Sequence, residues 1–209
     1  MKAKLTQNPR QQTGMEDFIF YFREGWQHII SLGALDHILF VVAISAIYLL
    51  KNWKQVLVLV TAFTIGHSVT LALSVFDVVR LNERLVEIAI PCTIMATAVF
   101  NFTLRDYTPK SLRLNYFLAL FFGLIHGMGF ANTLRFILAK DQNIGWNLFA
   151  FNIGLEAGQV VVVSAILLLS FIAVDQLKLG RKWWVWIWSA LAFCIAIKMV
   201  TERWVVCCE

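Results

Sequence analysis

Six apolar stretches of spanning or near-spanning length constrain this chain more than any other feature: Leu35 to Leu50, Gln55 to Phe76, Leu85 to Phe102, Leu114 to Leu138, Trp146 to Val174 and Trp183 to Val200. About 20 apolar residues in a helix cross the hydrocarbon core. Backbone polar groups must be satisfied within the segment there, so the expected fold is all-α, a polytopic transmembrane helical bundle of about six spans. The first stretch is short for a span. The residues before it, Glu16 to Leu32, mix Phe18, Phe20, Tyr21, Trp26, Ile29 and Ile30 with charged residues. This amphipathic segment either lies in the interface, as a seventh element, or enters the membrane and breaks at Gly33. Trp53, Trp146 and the cluster Trp183, Trp184, Trp186 and Trp188 stand at span edges, where indole rings anchor a helix.

Composition agrees with this reading. The 209 residues are 59% hydrophobic and 15% charged, and the mean hydropathy is +0.71, too apolar for a soluble domain. The net charge of +5 comes largely from Lys and Arg between the apolar stretches, which speaks for a cytoplasmic membrane face and against nucleic acid as a partner. Among internal connections, Lys51, Lys54, Arg105, Lys110, Arg113, Lys178, Arg181 and Lys182 outnumber Arg80, Arg84, Arg135 and Lys140 on the other side. The richer set marks the cytoplasmic face, although Lys2, Lys4, Arg10, Arg23 and Arg203 near the termini bring the count close to even. No signal-peptide pattern of an apolar core and a small-residue cleavage site is read at the N-terminus. The expected organisation is a polar tail over 1–15, one transmembrane domain over 16–206 and a short tail over 207–209. Cys92 and Cys194 read as small buried fillers, and Cys207 with Cys208 as a terminal dithiol lacking a partner motif.

All four histidines fall in or beside these stretches: His28 and His37 flank the first, His67 lies in the second and His126 in the fourth. An ionisable group at membrane depth costs roughly 3 kcal/mol or more, so it is expected to face a cavity, a partner or a metal. Asp36 and His37 are adjacent after Gly33. Neighbours on a helix point about 100° apart, so both serve one site only at a helix end or a distorted turn; otherwise Asp36 is a cap beside an interfacial His. Thr64, Ser68 and Thr70 put hydroxyls close to His67, where they can fix its tautomer or bond across helices. Gly123 and Gly127 let a neighbouring helix approach His126. Asn152, Glu156 and Gln159, spaced four and three apart, share one face, with Gly154 and Gly158 beside it. Lys198 and Glu202, four apart, are expected to pair. The expected metal ligands are Asp36, His37, His67, His126 and Glu156, with His28, Thr64, Ser68, Glu87, Asn152 and Gln159 in support. Their nitrogen and oxygen donors suit a divalent transition metal: nickel, cobalt, zinc or iron.

Four ordered motifs carry a family resemblance: Asp36-His37-Ile38-Leu39-Phe40, Thr61 to Leu71, His126 to Ala131 and Phe151 to Gln159. Together they resemble the HupE/UreJ permeases of bacteria over about Gly25 to Val174. The resemblance implies a permease of the bacterial inner membrane, tied to nickel or cobalt delivery to hydrogenase or urease, with Asp36, His37, His67, His126 and Glu156 on matching motif positions. Two departures bear on it. Longer members carry a secreted N-terminal domain, and they have an acidic residue before an Asn late in the third span, where this chain has Phe100-Asn101; its loss weakens a second ion position. The residues alone also fit an intramembrane metalloenzyme, with the same ligands holding a permanent metal beside a lipid-like substrate. A homo-oligomer, or association with other membrane subunits, is compatible with so small a bundle.

Overall fold

The computed structural model describes residues 14–80, 82–104, 109–138 and 143–208, so Lys2, Lys4, Arg10, Arg105 and Lys140 of the charge count lie outside the described residues. The chain folds into α1 (Gly14–Ile30), α2 (Leu35–Ser45), α3 (Trp53–Val75), α4 (Glu83–Thr103), α5 (Pro109–Gly129), α6 (Ala131–Leu138), α7 (Ile144–Ser170) and α8 (Arg181–Cys208). Tight turns at Leu32–Ala34 and Leu50–Asn52 bracket α2, and the last turn of α7 widens over Phe171–Gln176. The fold is therefore an all-α membrane bundle, as expected. Four segments are long and apolar enough to cross a bilayer: Leu50–Val75, Glu83–Thr103, Ile144–Gln176 and Arg181–Trp204. The pair α1 and α2, bent by 67°, makes a fifth when counted as one broken span. The apolar stretch Leu114 to Leu138 divides: its apolar helix ends at Gly129, and α6 follows as a separate amphipathic piece.

The chain breaks after Ile30, beside Gly33, and α1 packs into the bundle instead of lying apart from it. Helix α1 buries Tyr21, Gly25 and Ile29 and packs along α7, where a Cβ on Gly154 would meet the backbone of Phe22 and one on Gly158 the side chain of Ile29. A second glycine seam joins α3 to α5: a Cβ on Gly123 would stand 3.0 Å from the Phe63 carbonyl carbon and 3.1 Å from the His67 nitrogen. At Gly127 the neighbours are the His67 carbonyl and Thr70. Residue numbers rise together across both seams, so each pair runs in the same direction. Lipid is as apolar as a leucine side chain, so close backbone approach and hydrogen bonding hold such helices together rather than withdrawal from water.

Between these pairs sits α2, buried on nearly every side from Asp36 to Ser45. A half-length helix inside a bilayer leaves its last carbonyls without intrahelical donors. Asn101, 1% exposed, donates to the Ala43 carbonyl at 2.7 Å and to Ser189 Oγ at 3.0 Å. Arg181 donates to the Ile47 carbonyl at 2.5 Å, placing a cation at the negative end of the α2 dipole. Asn101 thus caps α2. At the other end of α8, Lys198 and Glu202 pair at 3.6 Å, as their spacing predicts. Cys92 and Cys194 depart from expectation: both are exposed on the bundle's outer surface, where a small thiol meets lipid as readily as it fills a core. The side chains of Cys207 and Cys208 lie outside the described residues.

Helix α3 stops in a left-handed cap. Asp77 adopts φ 62°, while its N–H and that of Val78 return to the Ser74 and Leu73 carbonyls at 3.1 and 2.8 Å, the Schellman arrangement. The Asp77 carboxylate accepts from Arg80 on its own loop and from Arg135 of α6. Those two guanidiniums, Arg80 foremost, hold the exposed carboxyl well below the usual carboxylate range. The Asp77–Arg135 contact ties α6 to the end of α3.

Candidate metal centre

The break in the first span brings all four histidines together. Helix α1 ends with His28, α2 begins with Asp36 and His37, α3 carries His67 at its middle, and α5 carries His126 one residue before the Gly127 seam. Ring centres stand 4.6 Å apart for His28 and His37, 4.9 Å for His37 and His126, 5.8 Å for His37 and His67 and 5.9 Å for His28 and His67. His67 and His126 are fully buried and His37 nearly so. His28, His37 and His126 line a cavity of about 440 Å³ together with Glu24, Gln27, Glu87, Phe130 and Arg203, and His67 adjoins His28 and His37 outside that lining. Glu87 lies one turn into α4 and Arg203 near the end of α8, so the cavity is on the side of the membrane where α4 starts and α8 ends.

Hydrogen bonds fix two of the tautomers. Thr93 Oγ1 gives its single proton to the Ile90 carbonyl at 2.6 Å, so at 3.1 Å from His126 Nε2 it can only accept. The proton of His126 is therefore on Nε2 and the lone pair on Nδ1. Asp36 Oδ1 accepts from His37 Nδ1 at 2.9 Å and from the His37 backbone N–H at 2.9 Å, leaving the lone pair on His37 Nε2. Neither His126 Nδ1 nor His37 Nε2 has a hydrogen-bond partner among the described residues, nor do His28 Nε2 and both ring nitrogens of His67. These five buried imidazole nitrogens without partners each cost about 1–3 kcal/mol when left so, and because neutral His67 keeps a proton on one of its two they offer at most four lone pairs to an acceptor such as a metal ion.

A four-imidazole ion site has a definite size. With a metal–nitrogen bond of about 2.0–2.1 Å, ring centres stand about 3.2 Å from the ion and about 5 Å from one another in a tetrahedron. His28, His37 and His67 make a complete triangle of 4.6 to 5.9 Å that brackets that spacing, and His126 adjoins it through His37 at 4.9 Å. The rings are not yet turned inward, and among the described residues no three His, Cys, Asp or Glu side chains have donors already arranged to hold an ion. Closing on one ion requires the rings to turn inward and His126 to approach His28 and His67.

Other expected residues fall outside the layer. Asp36 is taken up on both oxygens, since Oδ2 accepts from Arg203 at 3.2 Å; its place is behind His37. Glu156 accepts from Thr61 Oγ1 at 2.7 Å, and Gln159 accepts from Thr64 at 3.0 Å. Thr61, Thr64 and His67 are one turn apart along α3, so Glu156 meets α3 about 9 Å from His67 by helix rise, toward the membrane face opposite the cavity mouth. The hydroxyls expected to set the His67 tautomer are engaged elsewhere: Ser68 Oγ donates to the Thr64 carbonyl and Thr70 to the Gly66 and His67 carbonyls. These residues return their protons to the preceding turn of their own helix, the usual local alternative. Asn152 Nδ2 likewise bonds the Leu148 carbonyl at 2.9 Å. Glu87 stands exposed at the cavity mouth.

His28, a supporting candidate by sequence, is a full member of the layer, in ring contact with His37, His67, Phe130 and Phe151. Thr93 and Arg203 have no sequence signal of their own: a lone Thr in an apolar helix and an Arg at a span end are ordinary. Pro91 is a visible signal in α4, because a helical proline lacks an N–H and leaves the carbonyl four residues earlier unpaired. That carbonyl, Glu87 O, accepts from Arg203 Nη1 at 2.6 Å.

No curated protein and no solved structure matches the chain. A family model described as HupE / UreJ protein matches residues 4–207, and over nearly its whole length the chain therefore belongs to the HupE/UreJ family.

Proposed function

We propose that this protein is a permease for a divalent transition-metal ion, nickel or cobalt by preference, in a bacterial inner membrane. Membership of a family generally linked to nickel and cobalt uptake supports metal transport at a coarse level. The observation that carries the finer reading is the layer of unpartnered imidazole nitrogens, three of whose four histidines line the cavity. In this reading His28, His37, His67 and His126 are the transient ligands. An ion enters from the cavity, sheds water as the imidazoles turn toward it, and leaves past Thr64 and Gln159 toward Glu156. The row of polar groups along α3 and α7 favours passage over a permanent metal, since a resident cofactor needs no second set of oxygens one and two turns beyond its ligands. By the loop charges, the face holding Arg80 and Arg84 is the non-cytoplasmic one, so the cavity admits ions from outside.

Purified protein in liposomes loaded with a metal-sensing dye tests this. Wild type takes up Ni²⁺ or Co²⁺; His67→Ala takes up none and binds none, and Glu156→Gln still binds ions but transports at least tenfold more slowly. Retention of one ion per chain through chelator dialysis, without uptake, would replace the permease with the metalloenzyme reading.

A further inference from the structure

Among the described residues that line the cavity, Arg203 is the one Lys or Arg, placed where a cation of the protein itself can compete with the cargo. Its Nη2 lies 3.2 Å from Asp36 Oδ2, and its Nη1 donates at 2.6 Å to the Glu87 carbonyl. That carbonyl is available because Pro91 has no N–H to offer it. The guanidinium is thus parked by two acceptors, one built into α4 by a proline and one at the head of α2. It is half-buried, and it borders the same cavity as His28, His37 and His126.

Two consequences follow from charge and valence. His37 takes both lone pairs of Asp36 Oδ1, and the Arg203 charge on Oδ2 opposes a metal at the lone pair left there, so the layer offers neutral imidazoles first. A fixed positive charge beside the layer also lowers the affinity of any dication bound there, the more so because low dielectric strengthens the repulsion. A transport site must release its ion.

Resting on the metal-permease reading, the geometry points to Arg203 as the residue that sets affinity: it holds Asp36 out of the coordination sphere and keeps the ion loosely bound. Removing Arg203 frees a carboxylate oxygen at the head of α2 and deletes the repelling charge, so affinity rises. Removing the Asp36 carboxylate instead frees His37 to take the wrong tautomer, so affinity falls. Two partners of one ion pair therefore change binding in opposite directions, which a merely structural salt bridge would not do.

The experiment is titration of the detergent-purified full chain with Co²⁺, read by calorimetry and by the d–d absorption of the bound ion, followed by uptake in liposomes. Arg203→Gln is expected to bind Co²⁺ at least tenfold more tightly and to turn over more slowly at saturating ion. Arg203→Lys stays near wild type, and Asp36→Asn binds at least tenfold more weakly. If Arg203→Gln does not yield folded protein, Pro91→Ala serves: its new N–H shares the Glu87 carbonyl, loosens Arg203 and tightens binding severalfold. Unchanged or weaker binding in a folded Arg203→Gln or Pro91→Ala protein, with wild type binding normally, would overturn the role of Arg203 alone. No Co²⁺ binding by wild type would overturn the metal reading and this role with it.

Discussion

Replacing Gly127 by alanine tests the link between helix packing and the histidine layer most directly. A Cβ there would lie 2.9 Å from the His67 carbonyl carbon, against 3.4 Å where ordinary contact begins, and closer still to the carbonyl oxygen. Both are backbone atoms in mid-helix and cannot swing aside. Helices α3 and α5 must therefore separate by on the order of 1 Å at the level of His67 and His126. Overpacking of this kind costs about 1–3 kcal/mol. Moving ligands apart by a similar distance is expected to lower metal affinity by about 10–100-fold, as loss of supporting interactions does at other metal sites. Gly145→Ala is the control, since a Cβ there meets nothing within 4 Å. Thermal unfolding in detergent and Co²⁺ titration read the two effects. Gly127→Ala with wild-type unfolding and wild-type affinity would show that the seam does not set the spacing of the layer.

Thr93→Val, nearly isosteric, removes the acceptor for His126 Nε2–H and is expected to weaken Co²⁺ binding about tenfold while leaving unfolding close to wild type; unchanged affinity would place the His126 proton elsewhere. At the end of α3, the folded Asp77 carboxyl titrates below its ordinary 3.8. Its tie to Arg80 and Arg135 is accordingly in force above that value and is lost as pH falls through the lower folded range. Asp77→Asn, which keeps a residue tolerant of left-handed φ, should unfold at lower temperature than wild type at neutral pH, by a margin that narrows as pH falls below 3.8; a constant difference from neutral pH to pH 2 would remove the ion pairs as the cause.

Much of the bundle is legible from apolar length alone, because hydrocarbon permits so few structures. Where length misleads, local chemistry explains it. Leu114 to Leu138 is long enough to span, yet Asn132, Thr133 and Arg135 past Gly129 make the tail amphipathic, and it leaves the run of α5. The histidines were legible because an imidazole at membrane depth has few uses. Their supporting partners were not, since Thr93 and Arg203 act through contacts 33 and 167 residues distant in sequence. Glu156 illustrates the opposite case: its depth marks it as functional, but its reach to Thr61 depends on how α3 and α7 are paired, which no spacing within α7 encodes.

The number of imidazoles bears on transport against catalysis. Hydrolytic metal sites commonly hold the ion with three protein ligands and keep a fourth position for water, whereas sites with four protein ligands in a tetrahedron are closed. The four imidazoles of His28, His37, His67 and His126 match the closed arrangement in number, and Asp36, the nearest carboxylate, is occupied by His37 and Arg203, so it is not free to act as a base beside a bound water. In the permease reading, a closed, neutral site with a cavity on one side and a row of oxygens on the other is poorly arranged to activate a nucleophile and suits stripping a hydrated cation, holding it weakly and passing it on. His28 decides between the two, because it completes the set from the broken span. If His28→Ala binds Co²⁺ with an added water ligand, visible as a change in the d–d spectrum, the fourth imidazole closes the site; an unchanged spectrum would leave three ligands and reopen the catalytic reading.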